Sequence, residues 1–175
     1  YFTQLHFIWN DLINKTNISS NQNNFFILCD IFNEYFRKNI FEVLKFIHKQ
    51  KTKKNIDKCI IYTNNNGDPS WTYLLKDYME YKINAKVFDL CICAYNENDI
   101  NNIRTTHSKC ISDLEKILNI DIKKTNLCFI DDREHPDMKH SNTFYIQINP
   151  YFNEFNFSEI SKRFKNSLFG NNFKD

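Results

Sequence analysis

Apolar and polar positions along the 175 residues fall into two periods. Leu5, Ile8, Trp9 and Leu12 recur at helical spacing, so a helical face is expected over residues 1–14. Ile40, Phe41, Leu44 and Ile47 repeat the pattern between Arg37 and Gln50, with Lys and Glu on the other face. Trp71, Leu74, Leu75, Tyr78 and Met79 do so after Asp68-Pro69, a favoured N-cap followed by a proline suited to the first helical position. Ile111, Leu114, Ile117 and Leu118 place another helix over Lys109–Leu118, with Ser108 as its expected cap, and a last one runs from about Ser158 to Leu168.

Between these stretches lie short apolar runs that read as strands. They are Cys59–Tyr62, the segment Lys86–Tyr95, Leu127–Ile130, and Thr143–Ile148 with Phe144, Ile146 and Ile148 alternating. Phe25–Asp30 fits strand or helix equally. Leu127-Cys128-Phe129-Ile130 has no polar break, which predicts burial on both faces within a parallel sheet. Strands alternating with helices imply an α/β fold, a mostly parallel sheet with helices on both faces, built as one domain with no linker. Glu97–Arg104 reads as a polar loop.

Composition adds limits. A 42% hydrophobic and 25% charged make-up is that of a globular chain, and a net charge of +2 gives no footprint for nucleic acid or an anionic membrane. No apolar run approaches the roughly 20 residues of a membrane span. The six cysteines (29, 59, 91, 93, 110 and 128) form no C-x-x-C pair, and read as reduced, buried thiols of an intracellular protein.

The candidate chemistry sits where strands end. Ligands of open α/β sheets bind beyond the carboxyl ends of the strands. Thr63 and Asn64 follow one strand, and Asp131 and Asp132 follow another. Paired acids repel unless a cation relieves them, which makes Asp131 and Asp132 candidate Mg²⁺ ligands. Glu134 and His135 stand close enough in sequence to supplement them. A hydroxyl at Thr63 and an ammonium at Lys109, expected to open a helix, suit phosphate oxygens. Together these are the parts of a phosphoryl-transfer site without its nucleophile. The bland alternatives are turn capping for Thr63, loop for Asn64, and a surface lysine for Lys109. Trp9 and Trp71 read as core.

The order of these pieces resembles the haloacid dehalogenase superfamily. Ile60-Ile61-Tyr62-Thr63-Asn64 resembles its second motif, Lys109 in Lys-Cys-Ile-Ser-Asp-Leu its third, and Cys128-Phe129-Ile130-Asp131-Asp132 its fourth. Within the superfamily the chain is most similar to phosphatases of the RNA polymerase II C-terminal domain. The versions in large DNA viruses look more similar still, since Asp132-Arg133-Glu134-His135-Pro136 and Tyr145-Ile146-Gln147-Ile148 resemble the segment after their fourth motif. The resemblance implies a haloacid-dehalogenase-like Rossmannoid domain without a large cap. It also implies a Mg²⁺-dependent phosphatase acting on phosphoserine or phosphothreonine in a protein or peptide, located inside a host cell or in a virion. Phosphate would be held by Thr63, Asn64 and Lys109, and metal by Asp131 and Asp132.

The family's first motif, D-x-D-x-T, does not occur in these residues. Ile27-Leu28-Cys29-Asp30-Ile31-Phe32 imitates its lead-in but has Phe32 where the second acid belongs. The expectation is that this motif, with its nucleophilic aspartate, ends just before Tyr1. Without it the alternative is a non-catalytic module of the same fold: a scaffold, a phosphopeptide binder or a viral structural component.

Overall fold

The computed structural model describes residues 2–65, 67–97 and 103–170. The chain divides into two compact units, Tyr1–Lys53 with Leu74–Val87 and Tyr151–Asp175, and Lys54–Tyr73 with Phe88–Pro150.

The first unit is helical. α1 (Thr3–Lys15), α2 (Gln22–Ile31), α3 (Ile40–Thr52), the later turns of α4 (Pro69–Ile83) and α6 (Phe157–Lys165) supply it. Phe25–Asp30, ambiguous in sequence, lies within α2, which starts with Asn21 Oδ1 accepting from Asn24 N–H. Burial of Leu5, Trp9, Phe25, Leu28, Phe32 and Tyr78 gives this unit an aromatic core. Trp9 meets Phe25 edge-on with centroids 5.3 Å apart, and Phe36 and Tyr78 pack at 4.8 Å. Such pairs add about 0.5–1.5 kcal/mol beyond the area they bury. Tyr78 donates its hydroxyl to Asp30 Oδ1 at 2.7 Å, and burial, then that contact, pushes its phenol far up.

The second unit carries the strands. β1 (Ile60–Tyr62) pairs in parallel with β2 (Leu90–Ile92), and β3 (Leu127–Asp131) in parallel with β4 (Thr143–Gln147). The parallel α/β character is therefore present, but as two two-stranded sheets rather than one continuous sheet among the described residues. Asp68 caps the start of α4, its Oδ1 accepting from Ser70 N–H at 2.8 Å. α5 (Ile111–Leu118) begins two residues later than its apolar spacing implies. Its N-cap is Cys110 without a side-chain bond, so Ser108 does not cap it, and Lys109 lies ahead of the helix in the extended approach.

Leu114, Ile111, Ile117 and Leu118 of α5 pack against Ile60, Tyr62, Leu90 and Ile92 of one sheet. The same helix residues share that cluster with Leu127, Phe129 and Tyr145 of the other sheet, closed by Met138. Strand alternation explains which residues reach it, since i and i+2 share a face. It also corrects the expectation for β3. Phe129 is buried, but Cys128 is exposed and Ile130 is 51% exposed. With Phe144 and Ile146 they form an exposed apolar face. The thiols differ from expectation in the same place. None of the six is in a disulfide, but Cys128 is open to solvent and Cys59 and Cys93 are half-buried.

No described helix is long and apolar enough to cross a membrane. The loop expected over Glu97–Arg104 lies partly outside the described residues, as does the third asparagine of the run beginning at Asn64.

Candidate phosphate-binding site

β3 aims its last residue at the approach to α5. Leu127, Phe129 and Asp131 share one strand face, the face that packs on α5, and Lys109 sits two residues before that helix. The two side chains meet, Lys109 Nζ donating to Asp131 Oδ2 at 2.6 Å. The pair is 9% and 10% exposed, so water screens it little. Lys109 Nζ also lies 5.7 Å from the ring centres of Tyr62 and Phe129, capped by aromatic faces from β1 and β3.

Asp131 has partners on its other oxygen as well. Oδ1 accepts from Arg133 N–H at 2.9 Å and lies 3.4 Å from His135 Nε2. Burial alone would raise its pKa. The hydrogen bonds from Lys109 and Arg133, with the Lys109 and His135 charges, outweigh burial and hold it below the ordinary carboxylate value. His135 is fixed by an edge contact with Phe129 at 5.9 Å and by its own N–H donating to the Tyr145 hydroxyl at 2.9 Å.

The other expected residues are placed less uniformly. Lys109 engages Asp131 rather than Asp132, which is half-buried at the start of the following turn. Glu134 is drawn away to Lys139. Among the described residues no group of three or more His, Cys, Asp or Glu side chains is arranged to hold a metal ion. Thr63 follows β1, and its Oγ1 accepts from Asn65 N–H at 3.0 Å, the turn-capping role weighed against phosphate binding. Asn64 is exposed, and its Oδ1 accepts from Arg104 at 2.7 Å. A guanidinium only donates, so this bond requires the amide oxygen there and turns the NH₂ group elsewhere.

Sequence reasoning missed Arg104 and Asp113. Both are buried, Arg104 at 2% and Asp113 at 0% exposure. Arg104 Nη1 donates to the Thr63 and Asn64 oxygens, at 3.2 and 2.7 Å, and reaches the Cys93 carbonyl at 3.4 Å. Nη2 donates to the His107 carbonyl at 2.9 Å. The guanidinium stacks 4.8 Å from the Tyr62 ring centre, and Nε stands 3.7 Å from Asp113 Oδ2. Asp113 Oδ1 accepts from Thr105 N–H and Oγ1 at 3.0 and 2.6 Å. The Tyr62 hydroxyl accepts from Cys110 N–H at 3.2 Å, and burial pushes its phenol up to about 12. The only advance signal was an arginine in an otherwise polar loop, five positions before Lys109.

The arrangement sets a buried ammonium beside a carboxylate held ionised at the carboxyl end of β3, and a strand-end hydroxyl at the carboxyl end of β1. No family model matches the chain, and no curated protein or solved structure matches it either.

Proposed function

We propose that the second unit is a phosphoryl-binding unit of haloacid-dehalogenase type, belonging to a phosphatase of phosphoserine or phosphothreonine peptides. The observation that carries this reading is the Lys109–Asp131 pair, 2.6 Å apart and nearly buried at the end of β3. A buried ion pair is a poor way to gain stability, since two hydrophobic residues of like volume do as well or better. A site that must present an ammonium to a phosphate supplies a reason for keeping it.

In this reading Lys109 neutralises a phosphoryl oxygen while Asp131 keeps the ammonium in place and charged. Thr63 offers its hydroxyl hydrogen, since its oxygen already accepts from Asn65 N–H. Asn64 offers the NH₂ that its bond to Arg104 leaves over. Mg²⁺ is commonly held by only one or two carboxylates together with substrate phosphate and water, and Asp131 with Asp132 fits that carboxylate share. When bound, such an ion would neutralise charge on the transferring group. The aspartate that would attack phosphorus is not among these residues, since D-x-D-x-T is absent from them. These residues alone therefore bind and position, and do not turn over.

The product of the complete reading frame, with Mg²⁺ and para-nitrophenyl phosphate, is the direct test. Release of phosphate that is lost in Lys109→Met supports the reading. A folded protein that releases none, and whose amide spectrum is unmoved by orthophosphate, sinks it. The same absence of D-x-D-x-T favours a second reading, a non-catalytic phosphopeptide-binding module. Orthophosphate binding at Lys109 without turnover by that complete product would select it.

A further inference from the structure

Two polar loops and one extended approach must hold register for any ligand at Lys109 to meet Thr63 and Asn64 at the same time. They follow β1, follow β2 and precede α5, and their described residues lie outside the helices and strands. One side chain touches all three. Arg104 bonds the Thr63 carbonyl and Asn64 Oδ1 after β1, the Cys93 carbonyl after β2, and the His107 carbonyl two residues before Lys109.

We infer that Arg104 is a positioning residue, a buried clamp that sets the spacing between the Thr63–Asn64 turn and Lys109. This rests on the phosphate reading for its purpose but on bonding geometry for its existence. Arginine suits the task because its fork is planar and aims donors in fixed directions, whereas a lysine ammonium is a single point. Tyr62 backs the fork on its face, and the same ring flanks Lys109. Asp113 faces Nε from the first turn of α5, and through Thr105 it fixes the residue after the clamp. The clamp and the lysine it serves are thus tied to the same ring and the same helix. Asn64 then has two roles: its oxygen is spent on the clamp, and its nitrogen faces the ligand.

The conservative variant Arg104→Lys keeps the charge and removes the fork. Amide hydrogen exchange reads the result residue by residue. Hydrogen bonds to charged groups contribute enough that exchange at Thr63, Asn65 and Cys110 should quicken by about tenfold or more. The amides of Leu127 and Ile148, which bracket the β3–β4 pairing, should exchange at the wild-type rate. Equal acceleration at all five overturns the clamp, because that is general destabilisation, and no acceleration at any of them overturns it too. If Arg104→Lys does not fold, Asn64→Ala removes one clamp bond at an exposed position. Faster exchange at Asn65 and Cys110 alone then supports the clamp, and an unchanged pattern refutes it. Orthophosphate titration of the same samples separates the two ideas. Wild-type protein that fails to bind orthophosphate removes the phosphate reading, while the exchange pattern still decides the clamp.

Discussion

The two units spend their buried volume differently. The first fills it with aromatic and aliphatic side chains, and among its described residues the buried charge is Glu80, satisfied by Lys76, Lys86 and Val87 N–H. The second, with strands of three and five residues, buries Arg104, Lys109 and Asp113. A short sheet has little apolar surface to offer. Putting three charges beneath it lowers stability unless each finds a partner. In the first unit a buried side chain serves packing. In the second, the buried charges tie loop ends together and hold one ammonium at a strand end, the arrangement on which the proposed phosphate binding rests.

The sharpest way to break this contrast is Asp113→Ala. It removes the carboxylate that faces Arg104 Nε, and removing one partner of a buried pair costs about 3–5 kcal/mol. Urea unfolding followed by circular dichroism should show a loss of that size. Replacing both members, Arg104→Met with Asp113→Leu, should recover much of the stability yet leave the amides of Thr63 and Asn65 unprotected. Full protection in the double variant would mean the charges are packing after all, and the contrast would fail.

That outcome also bears on what could be read in advance. Helices were legible wherever apolar residues recur at three and four, as Leu5, Ile8, Trp9 and Leu12 do in α1. The positions of Asp131 and Lys109, at a strand end and in a helix approach, were legible, although the helix starts beyond Lys109 rather than at it, but their pairing with each other was not. Arg104 was not, since a single arginine in a loop has no period and its partners are mostly carbonyls. The outer face of β3 was misread for a different reason. Cys128 and Ile130 are apolar and still exposed, so hydrophobicity did not report burial there.

In the first unit the matching test is Leu28→Ala. Leu28 is fully buried on α2, and truncation of such a leucine costs about 2–5 kcal/mol through lost transfer energy and a cavity. Cavity filling by Leu28→Met should cost less than about 1.5 kcal/mol, because the volume is kept. A small effect of Leu28→Ala would mean that this core is loosely packed and that the units do not differ in kind.

Acid should distinguish the regions by what they lose. Asp131 is held below the ordinary carboxylate value, so the folded state favours its ionised form. Its contribution is full above the unfolded value of about 4 and fades as pH falls from there through the lowered folded value. Glu34 behaves alike in the first unit, where the Arg163 hydrogen bond lowers it, but that pair is more exposed and salt screens it more. Lowering pH below about 4 in high salt should therefore remove more stability from wild type than from Asp131→Asn. Carboxylate titration by carbon NMR would give both folded values. An Asp131 value at or above the ordinary one would undo the assignment of Lys109 as its partner.

The smallest effect expected is at the start of α6. Asn156 Oδ1 accepts from Glu159 N–H at 2.9 Å, and Asn156→Ala should cost about 1 kcal/mol, the usual loss for an N-cap. Asn156→Asp should keep the cap and add a favourable charge at the helix N-terminus. Thermal unfolding of the three proteins resolves such differences. Because α6 contributes Phe164 to the aromatic core and Arg163 to Glu34, fraying its first turn probes the first unit alone. Exchange at Thr63, Asn65 and Cys110 should stay at the wild-type rate in Asn156→Ala. A rise there would show that the clamp loops depend on the helical unit, and the division of labour between the two regions would need to be redrawn.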